Sequence, residues 1–128
     1  MPTTFLNPEG IAKPTGYTHV VKATAGTMIF ISGQVGFDPQ GNIAGDFQQQ
    51  TEQIFQNLDT ALKAAGATFK DVVKMNIYVL DTSQLPVLRE IRNRYVNTEN
   101  PPASTLVGVV ALARPEFLLE IEVVAVLP

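Results

Sequence analysis

The segment that most constrains the fold is the predicted last strand, Phe117 to Val126, where apolar side chains recur at every second residue. Because successive side chains of a strand point to opposite faces, this pattern separates the segment into two sets. The first set is wholly apolar and consists of Phe117, Leu119, Ile121, Val123 and Ala125. The second set places Glu120 and Glu122 among aliphatic residues. Such a mixed face suits a subunit interface, and a carboxylate held in an interface is expected to have a perturbed pKa.

The remaining sequence predicts strands and helices in the order β-β-β-α-β-α-β-β. The predicted strands are Thr3–Leu6, Tyr17–Ala23, Thr27–Val35, Val72–Leu80 and Ser104–Ala111, the second and third forming a hairpin around a glycine turn. The predicted helices run from Asp46 to Ala65 and from Ser83 to Val96, with Asp46 and Ser83 as N-caps and Gly66 as a C-terminal stop. Both helices are amphipathic and can cover one face of a sheet, so we expect a two-layer α+β domain.

Length and composition exclude several classes of function. The 128 residues suffice for one domain, 1–128, and 45% of them are hydrophobic, which leaves apolar surface for a partner or a second copy. The net charge of −3, without a basic run, makes nucleic-acid binding unlikely. The lack of cysteine excludes disulfides and thiolate metal sites, and the single histidine excludes a histidine-rich metal site.

The ends of the sequence give an expectation about localisation. The first ten residues, MPTTFLNPEG, lack the basic and apolar regions of a signal peptide. No apolar run is long enough to cross a membrane. We therefore expect a cytoplasmic protein without a membrane partner.

Four segments, taken together and in order, resemble the Rid family, also called the YjgF family. They are GYTHVV at 16–21, ISGQVGFDPQG at 31–41, GATFKDVVK at 66–74, and PPAS at 101–104 followed by the LEIE strand. Each motif alone is weak, but their order and spacing cover nearly the whole chain. The resemblance implies a chorismate-mutase-like fold with a mixed sheet and two helices on one face. It also implies a homotrimer with a central barrel and ligand clefts between the subunits.

The resemblance further implies hydrolysis of reactive enamines or imines, without metal or organic cofactor. Glu120 matches the glutamate that handles water and protons, and Tyr17 and Ser32 match hydrogen-bonding residues of the pocket. Gly33 lies where a backbone N–H can hold a substrate oxygen. His19, two residues after Tyr17, stands at the place of the family's glutamine and is a candidate substrate-binding residue.

Each of these residues also has a structural interpretation. Glu120 can be an ordinary interface acid, and Tyr17 can be simple packing. Ser32 and Gly33 can form a bulge at a strand end. A lone histidine such as His19 is usually a hydrogen-bonded structural residue. Glu122 is interpreted as a hydrogen-bonded structural acid.

The chain departs from the family pattern at Ser104, where deaminating members carry the arginine that grips the substrate carboxylate. A serine does not replace a bidentate guanidinium. Leu106, two residues on, makes the same wall of the pocket more apolar. Arg89 on the second helix is the first candidate for a relocated cation, and the other candidates are Arg92, Arg94 and Arg114. A solvated helix face is the usual place of such arginines.

These observations leave several functions open. The first is deamination of a small imine or enamine at an inter-subunit cleft. The second is a non-catalytic, small-molecule-binding or stress-protective trimer that has lost this activity. A ribonuclease is disfavoured by the acidic balance and the lack of a histidine or arginine constellation. A chorismate mutase is also disfavoured, because its chemistry needs fixed cations for a dicarboxylate.

Overall fold

A computed structural model describes residues 3–24 and 26–128, and its elements follow the predicted order. The strands are β1 (Thr3–Leu6), β2 (Val20–Ala23), β3 (Thr27–Gln34), β4 (Val72–Val79), β5 (Ala103–Gly108) and β6 (Leu119–Leu127). The helices are α1 (Phe47–Ala64) and α2 (Leu85–Arg92), and short 3-10 turns occupy Phe69–Asp71 and Thr82–Gln84.

The main sheet has the order β3-β6-β4-β5 and is mixed, as expected for an α+β fold. β6 is antiparallel to both of its neighbours, whereas β4 and β5 are parallel. β5 is thus an edge strand, and α2 provides the crossover that a parallel pair needs. β1 and β2 form a separate antiparallel pair.

The core lies between the two helices and one face of this sheet. The predicted apolar set of β6 is buried there, with Leu119, Ile121 and Ala125 fully enclosed. α1 contributes most of the opposing surface, through Ile54, Phe55, Leu58 and Leu62. Asp46 caps α1 as predicted: its carboxylate accepts a hydrogen bond from the Gln49 N–H, 2.9 Å away, and the Asp46 N–H donates one to Oε1 of the Gln49 side chain.

The predicted hairpin of the second and third strands is wrong. β2 pairs with β1, with Val20 opposite Leu6, whereas β3 pairs with β6, with Met28 opposite Val126. A turn signal fixes the chain reversal but not the pairing partner, and β3 pairs with the strand that completes the buried face. The strand also begins at Val20, so Tyr17 precedes it.

The second helix is shorter than predicted and is not capped by Ser83, because its N-cap residue is Gln84, whose side chain makes no capping hydrogen bond. Asp81 caps the preceding 3-10 turn instead, by accepting a hydrogen bond from the Ser83 N–H at 2.9 Å. Pro86 lies in the first turn of α2, where its missing N–H leaves no helical hydrogen bond unmade. The α-helix therefore begins at Leu85 and ends at Arg92.

Alternation along β4 predicts that Val73, Met75, Ile77 and Val79 share one inward face, but a bulge shifts this set at the start of the strand. The pairing with β6 slips between Val72 and Lys74, so Val72 is buried and Val73 is only half-buried. From Met75 onward, the predicted alternation holds. The last strand begins at Leu119 rather than Phe117, although Phe117 is buried as expected.

Candidate functional site

The two glutamates of β6 lie side by side on the open face of the sheet, opposite the helices. Glu122 is held by hydrogen bonds: its Oε1 accepts from the Tyr78 hydroxyl at 2.8 Å and from the Asn76 amide at 3.1 Å. The hydrogen bond to Glu122 raises the pKa of Tyr78, with smaller contributions from burial and from the two negative charges. Glu122 is thus the hydrogen-bonded acid that the sequence predicts.

Glu120 differs from Glu122 because no side chain or backbone group among residues 3–24 and 26–128 donates a hydrogen bond to its carboxylate. Partial burial raises the pKa of Glu120 above its ordinary value, and the negative charge of Glu122 raises it further. A carboxylate with a raised pKa and free lone pairs can both accept and return a proton.

A bulge in β3 brings the backbone of Gly33 against Glu120. The pairing of β3 with β6 slips between Ile31 and Gln34, so Ser32 and Gly33 form the bulge. A Cβ atom on Gly33 would lie 2.7 Å from Cδ and 2.9 Å from Cγ of Glu120, closer than packing allows. Only glycine leaves room for the carboxylate here. The strand-end bulge left open by the sequence is present, and it adjoins the candidate acid.

Ser32 lines a cavity of about 340 Å³ on the same open face, together with Asn76 and Glu122. The exposed ring of Phe30 forms another part of its lining. Ser32, Gly33 and Glu120 therefore form one group of predicted site residues, on the β3 and β6 side of the sheet.

The other predicted residues meet on the opposite side of the sheet, in a cleft of about 230 Å³ between β5 and α2. Ser104 and Leu106 face the helices because they pair with the buried Met75 and Ile77 of β4. The residues that line the cleft are Thr15, Tyr17, Ile77, Leu88, Arg89, Arg92, Ser104 and Leu106. Leu106 makes this wall apolar, as predicted.

His19 contacts Tyr17 but does not line this cleft. The two rings meet edge to face, with centroids 5.2 Å apart. His19 Nε2 lies 2.7 Å from the Ala12 carbonyl oxygen, which can only accept, so this nitrogen carries the proton. The backbone N–H of His19 also donates a hydrogen bond to Oδ1 of Asn7. These contacts fit a residue that positions Tyr17 rather than one that contacts a ligand directly.

The four candidate arginines divide into two pairs. Arg94 forms surface ion pairs with Glu90 and Glu52, at 3.7 and 3.9 Å. Arg114 forms an ion pair with Glu116 at 2.7 Å and lies over two phenylalanine rings. Only Arg89 and Arg92 reach the cleft of Ser104.

Arg92 lines this cleft, although the sequence alone does not distinguish it from the other candidate arginines. It follows Arg89 by three positions, a spacing that places both on one face of a helix. Burial lowers the pKa of the Arg92 guanidinium, and the neighbouring charge of Arg89 lowers it further. Its Nη2 packs on the backbone of Gly16, where a Cβ atom would lie only 2.7 Å away.

None of the helices in the described part of the chain is long and apolar enough to cross a membrane. Over residues 3–24 and 26–128, no three acidic or histidine side chains converge as metal ligands.

Comparison with known proteins gives matches over the whole length of the chain. The family model described as endoribonuclease L-PSP matches residues 9–127. A RutC family protein of Pyrococcus horikoshii is 35% identical over 91% of this chain and 92% of its own. A 2-iminobutanoate/2-iminopropanoate deaminase of Dermatophagoides farinae is 30% identical over 98% of this chain and 94% of its own.

A solved structure matches the fold closely. The Rid family protein YyfB of Yersinia pestis, whose function is unknown, superposes with a TM-score of 0.89 and is 36% identical. The match covers 99% of this chain and 100% of that protein. The mixed sheet and the two helices described above are therefore an architecture already seen in a crystal.

Proposed function

The chain belongs to the endoribonuclease L-PSP family, which includes proteins named RutC and Rid, and on this basis we propose that it deaminates reactive imines or enamines. The products are the corresponding carbonyl compound and ammonia. One relative carries the name of an iminobutanoate and iminopropanoate deaminase, which supports this reaction for the family.

The observation that carries the proposal is the contact between Glu120 and the bulge at Gly33. A partly buried carboxylate with a raised pKa lies beside a backbone that bulges out of the ladder. An interface acid that served only packing would be expected to be hydrogen-bonded, as Glu122 is. This free carboxylate is suited to proton transfer at a reacting centre.

In the proposed mechanism, Glu120 activates water for attack on the imine. The water oxygen forms a bond to the imine carbon while its proton passes to the Glu120 carboxylate, which gives a proton to the nitrogen. Glu120 then takes the O–H proton of the resulting amino alcohol and passes it to the nitrogen as the carbon–nitrogen bond breaks. Ammonia then leaves with its bonding electron pair, and the carbonyl forms. Ser32 and the backbone at Gly33 act as hydrogen-bond donors to the substrate.

The proposed active unit is a homotrimer in which each site forms between two subunits. Within one protomer the sheet separates Glu120 from the cleft of Tyr17 and Ser104, because the two groups lie on opposite faces. A second copy can bring the Glu120 side of one subunit to the Ser104 cleft of its neighbour. Tyr17 would then act as a hydrogen-bond donor in the completed site.

Ammonia release from freshly generated 2-iminobutanoate and 2-iminopropanoate tests the proposal. We expect acceleration by the wild type and a loss of at least about 100-fold in kcat/KM for Glu120→Gln. Glu116→Gln is the matched control, because it removes an acid that is paired with Arg114 and does not form the contact with Gly33. Acceleration that survives Glu120→Gln would overturn the role of Glu120.

The second candidate function is small-molecule binding without catalysis, and Ser104 is the observation that favours it. Without an arginine at this position, the cleft lacks the family's own carboxylate ligand. If the wild type accelerates neither reaction, yet a ligand protects the protein against unfolding, the binding function replaces the deaminase.

A further inference from the structure

The cleft between β5 and α2 contains two cations that form no ion pair within the described part of the chain. Arg89 and Arg92 lie one turn apart on α2, and both line the cleft with Ser104. Arg89 is exposed, whereas Arg92 is half-buried, and the charge of Arg89 acts on Arg92. Two like charges at one cleft repel each other, and a bound anion would relieve this repulsion.

Neither arginine has an acidic partner in the part of the chain that the structure describes. The ion pairs found there involve Lys63, Arg94 and Arg114. The hydrogen bonds of Arg92 reach only the Asn93 side chain, at 3.3 and 3.4 Å. Arg92 is also half-buried, although a guanidinium keeps its charge at neutral pH. A desolvated and unpaired cation is costly, which points to a ligand that neutralises it.

The rest of the cleft indicates what kind of anion it accommodates. Ser104 and Tyr17 offer hydroxyl donors near the cations, while Leu88 and Leu106 provide apolar walls. A carbon skeleton can contact these walls while its charged ends meet the guanidiniums. Planar guanidiniums bind carboxylates through paired hydrogen bonds, so two of them match two carboxylates.

We propose that Arg89 and Arg92 form a dianion subsite that selects dicarboxylic substrates. This inference rests on the proposed deaminase function and names its substrate class: imines of acidic amino acids, such as 2-iminosuccinate. Arg89 and Arg92 together replace the single arginine that deaminating members carry at the position of Ser104. They also add a second positive charge. A monocarboxylic imine leaves one guanidinium unpaired and binds more weakly.

Calorimetric titration of the full-length protein with unreactive anions tests the subsite directly. The probes are succinate, butyrate as the monoanion with the same number of carbons, and inorganic phosphate. We expect succinate to bind at least about tenfold more tightly than butyrate, and Arg89→Gln or Arg92→Gln to weaken succinate by at least about tenfold. Arg94→Gln, which removes a surface arginine outside the cleft, is expected to change affinity by less than about twofold.

Several results would overturn the inference. Succinate that binds no more tightly than butyrate would exclude a dianion subsite, as would variants Arg89→Gln and Arg92→Gln that bind succinate as tightly as the wild type. Tighter binding of phosphate than of succinate would assign the cleft to a phosphate group. Arg92→Lys is a control for misfolding, because it keeps the positive charge and the aliphatic stem of the side chain. We expect its affinity for succinate to lie between those of the wild type and Arg92→Gln.

Kinetics separate this inference from the proposed function. The wild type is expected to hydrolyse 2-iminosuccinate with a higher kcat/KM than 2-iminopropanoate, and Arg92→Gln to lower that ratio at least about tenfold. If no imine is hydrolysed but succinate binding depends on both arginines, the deaminase proposal fails and the dianion subsite stands. If imines are hydrolysed with a ratio that Arg92→Gln leaves unchanged, the subsite fails and the deaminase proposal stands.

Discussion

At the scale of single residues, the carboxylates of Glu120 and Glu122 on β6 differ in role because they have different neighbours. Glu122 receives hydrogen bonds from Asn76 and Tyr78, which hold its carboxylate in place. Glu120 has the Gly33 backbone beside it instead, and its ionised form is disfavoured by burial and by the Glu122 charge. The same strand therefore carries one acid fixed by the fold and one whose ionisation costs stability.

This difference predicts that Glu120→Gln stabilises the protein at neutral pH while it removes activity. Because the pKa of Glu120 is raised in the folded state, its favourable contribution is present at low pH and is lost as the pH rises through that raised value. At about pH 8 the wild type holds a partly buried charge that the variant lacks. We expect a gain of up to about 1 kcal/mol there, limited by solvent screening, and none at about pH 4.

Urea unfolding at the two pH values, at a fixed protein concentration, measures this effect. Glu116→Gln is a control of opposite sign, because the hydrogen bond with Arg114 lowers the pKa of Glu116. Its removal is not expected to stabilise the protein at either pH. A Glu120→Gln variant that is less stable than the wild type at about pH 8 would show that the charge is compensated in the folded protein.

At the scale of elements, α1 does more than cover the sheet, because it also fixes the loop that leads into β6. The fully buried Gln50 donates to the carbonyl oxygens of Gly45 and Glu116, at 3.2 and 3.0 Å. Its Oε1 accepts from the Leu118 N–H at 3.0 Å. One amide thus satisfies three backbone groups and sets where the glutamate-bearing strand begins.

We predict that Gln50→Leu destabilises the protein by about 2 to 4 kcal/mol, although leucine is close in size and apolar. The substitution leaves the partly buried hydrogen-bonding groups of the Gly45, Glu116 and Leu118 backbone without their partner. Urea unfolding measures the change, and Gln56→Leu on the exposed face of the same helix is expected to cost less than about 0.5 kcal/mol. Equal stability of the two variants would mean that water replaces the Gln50 amide.

The contrast between α1 and β2 shows what local sequence predicts. The helical repeat and the Asp46 cap of α1 are local features, and the structure confirms both. The partner of β2 is a long-range choice that no local signal encodes, and the predicted hairpin was wrong for that reason. Gln50 was missed because a polar residue at a core position resembles a solvated one until its backbone partners are known.

The site follows the same division. The strand pattern and the family resemblance single out Glu120 and Ser104, but alternation within a strand does not relate its faces to those of another strand. The register does: Ser104 is paired with the buried Met75 on the helix side, whereas Glu120 is paired with Tyr78 on the open side. The packing of α2 against the cleft, which no local pattern predicts, places Arg92 beside Arg89 in its lining.

At the scale of the whole molecule, the open face of the sheet exposes large apolar side chains. Phe30 and Met28 of β3 are 72% and 59% exposed, and they adjoin the face that carries Glu120 and Glu122. Contiguous apolar surface of this kind usually lies against another protein. In the proposed trimer, the same association of subunits covers this face and completes the site, because the two groups of site residues lie on opposite sides of each sheet.

Subunit complementation tests this arrangement, with Glu120→Gln damaging one side of the site and Tyr17→Ala the other. Each variant alone is expected to be inactive. In a one-to-one mixture that is unfolded and refolded together, about one site in four joins two undamaged sides if the site lies between subunits, so about a quarter of the activity returns. Mixing the folded variants without unfolding is the control, since stable trimers do not exchange. A site built within one subunit would always carry one substitution, and the refolded mixture would then stay inactive.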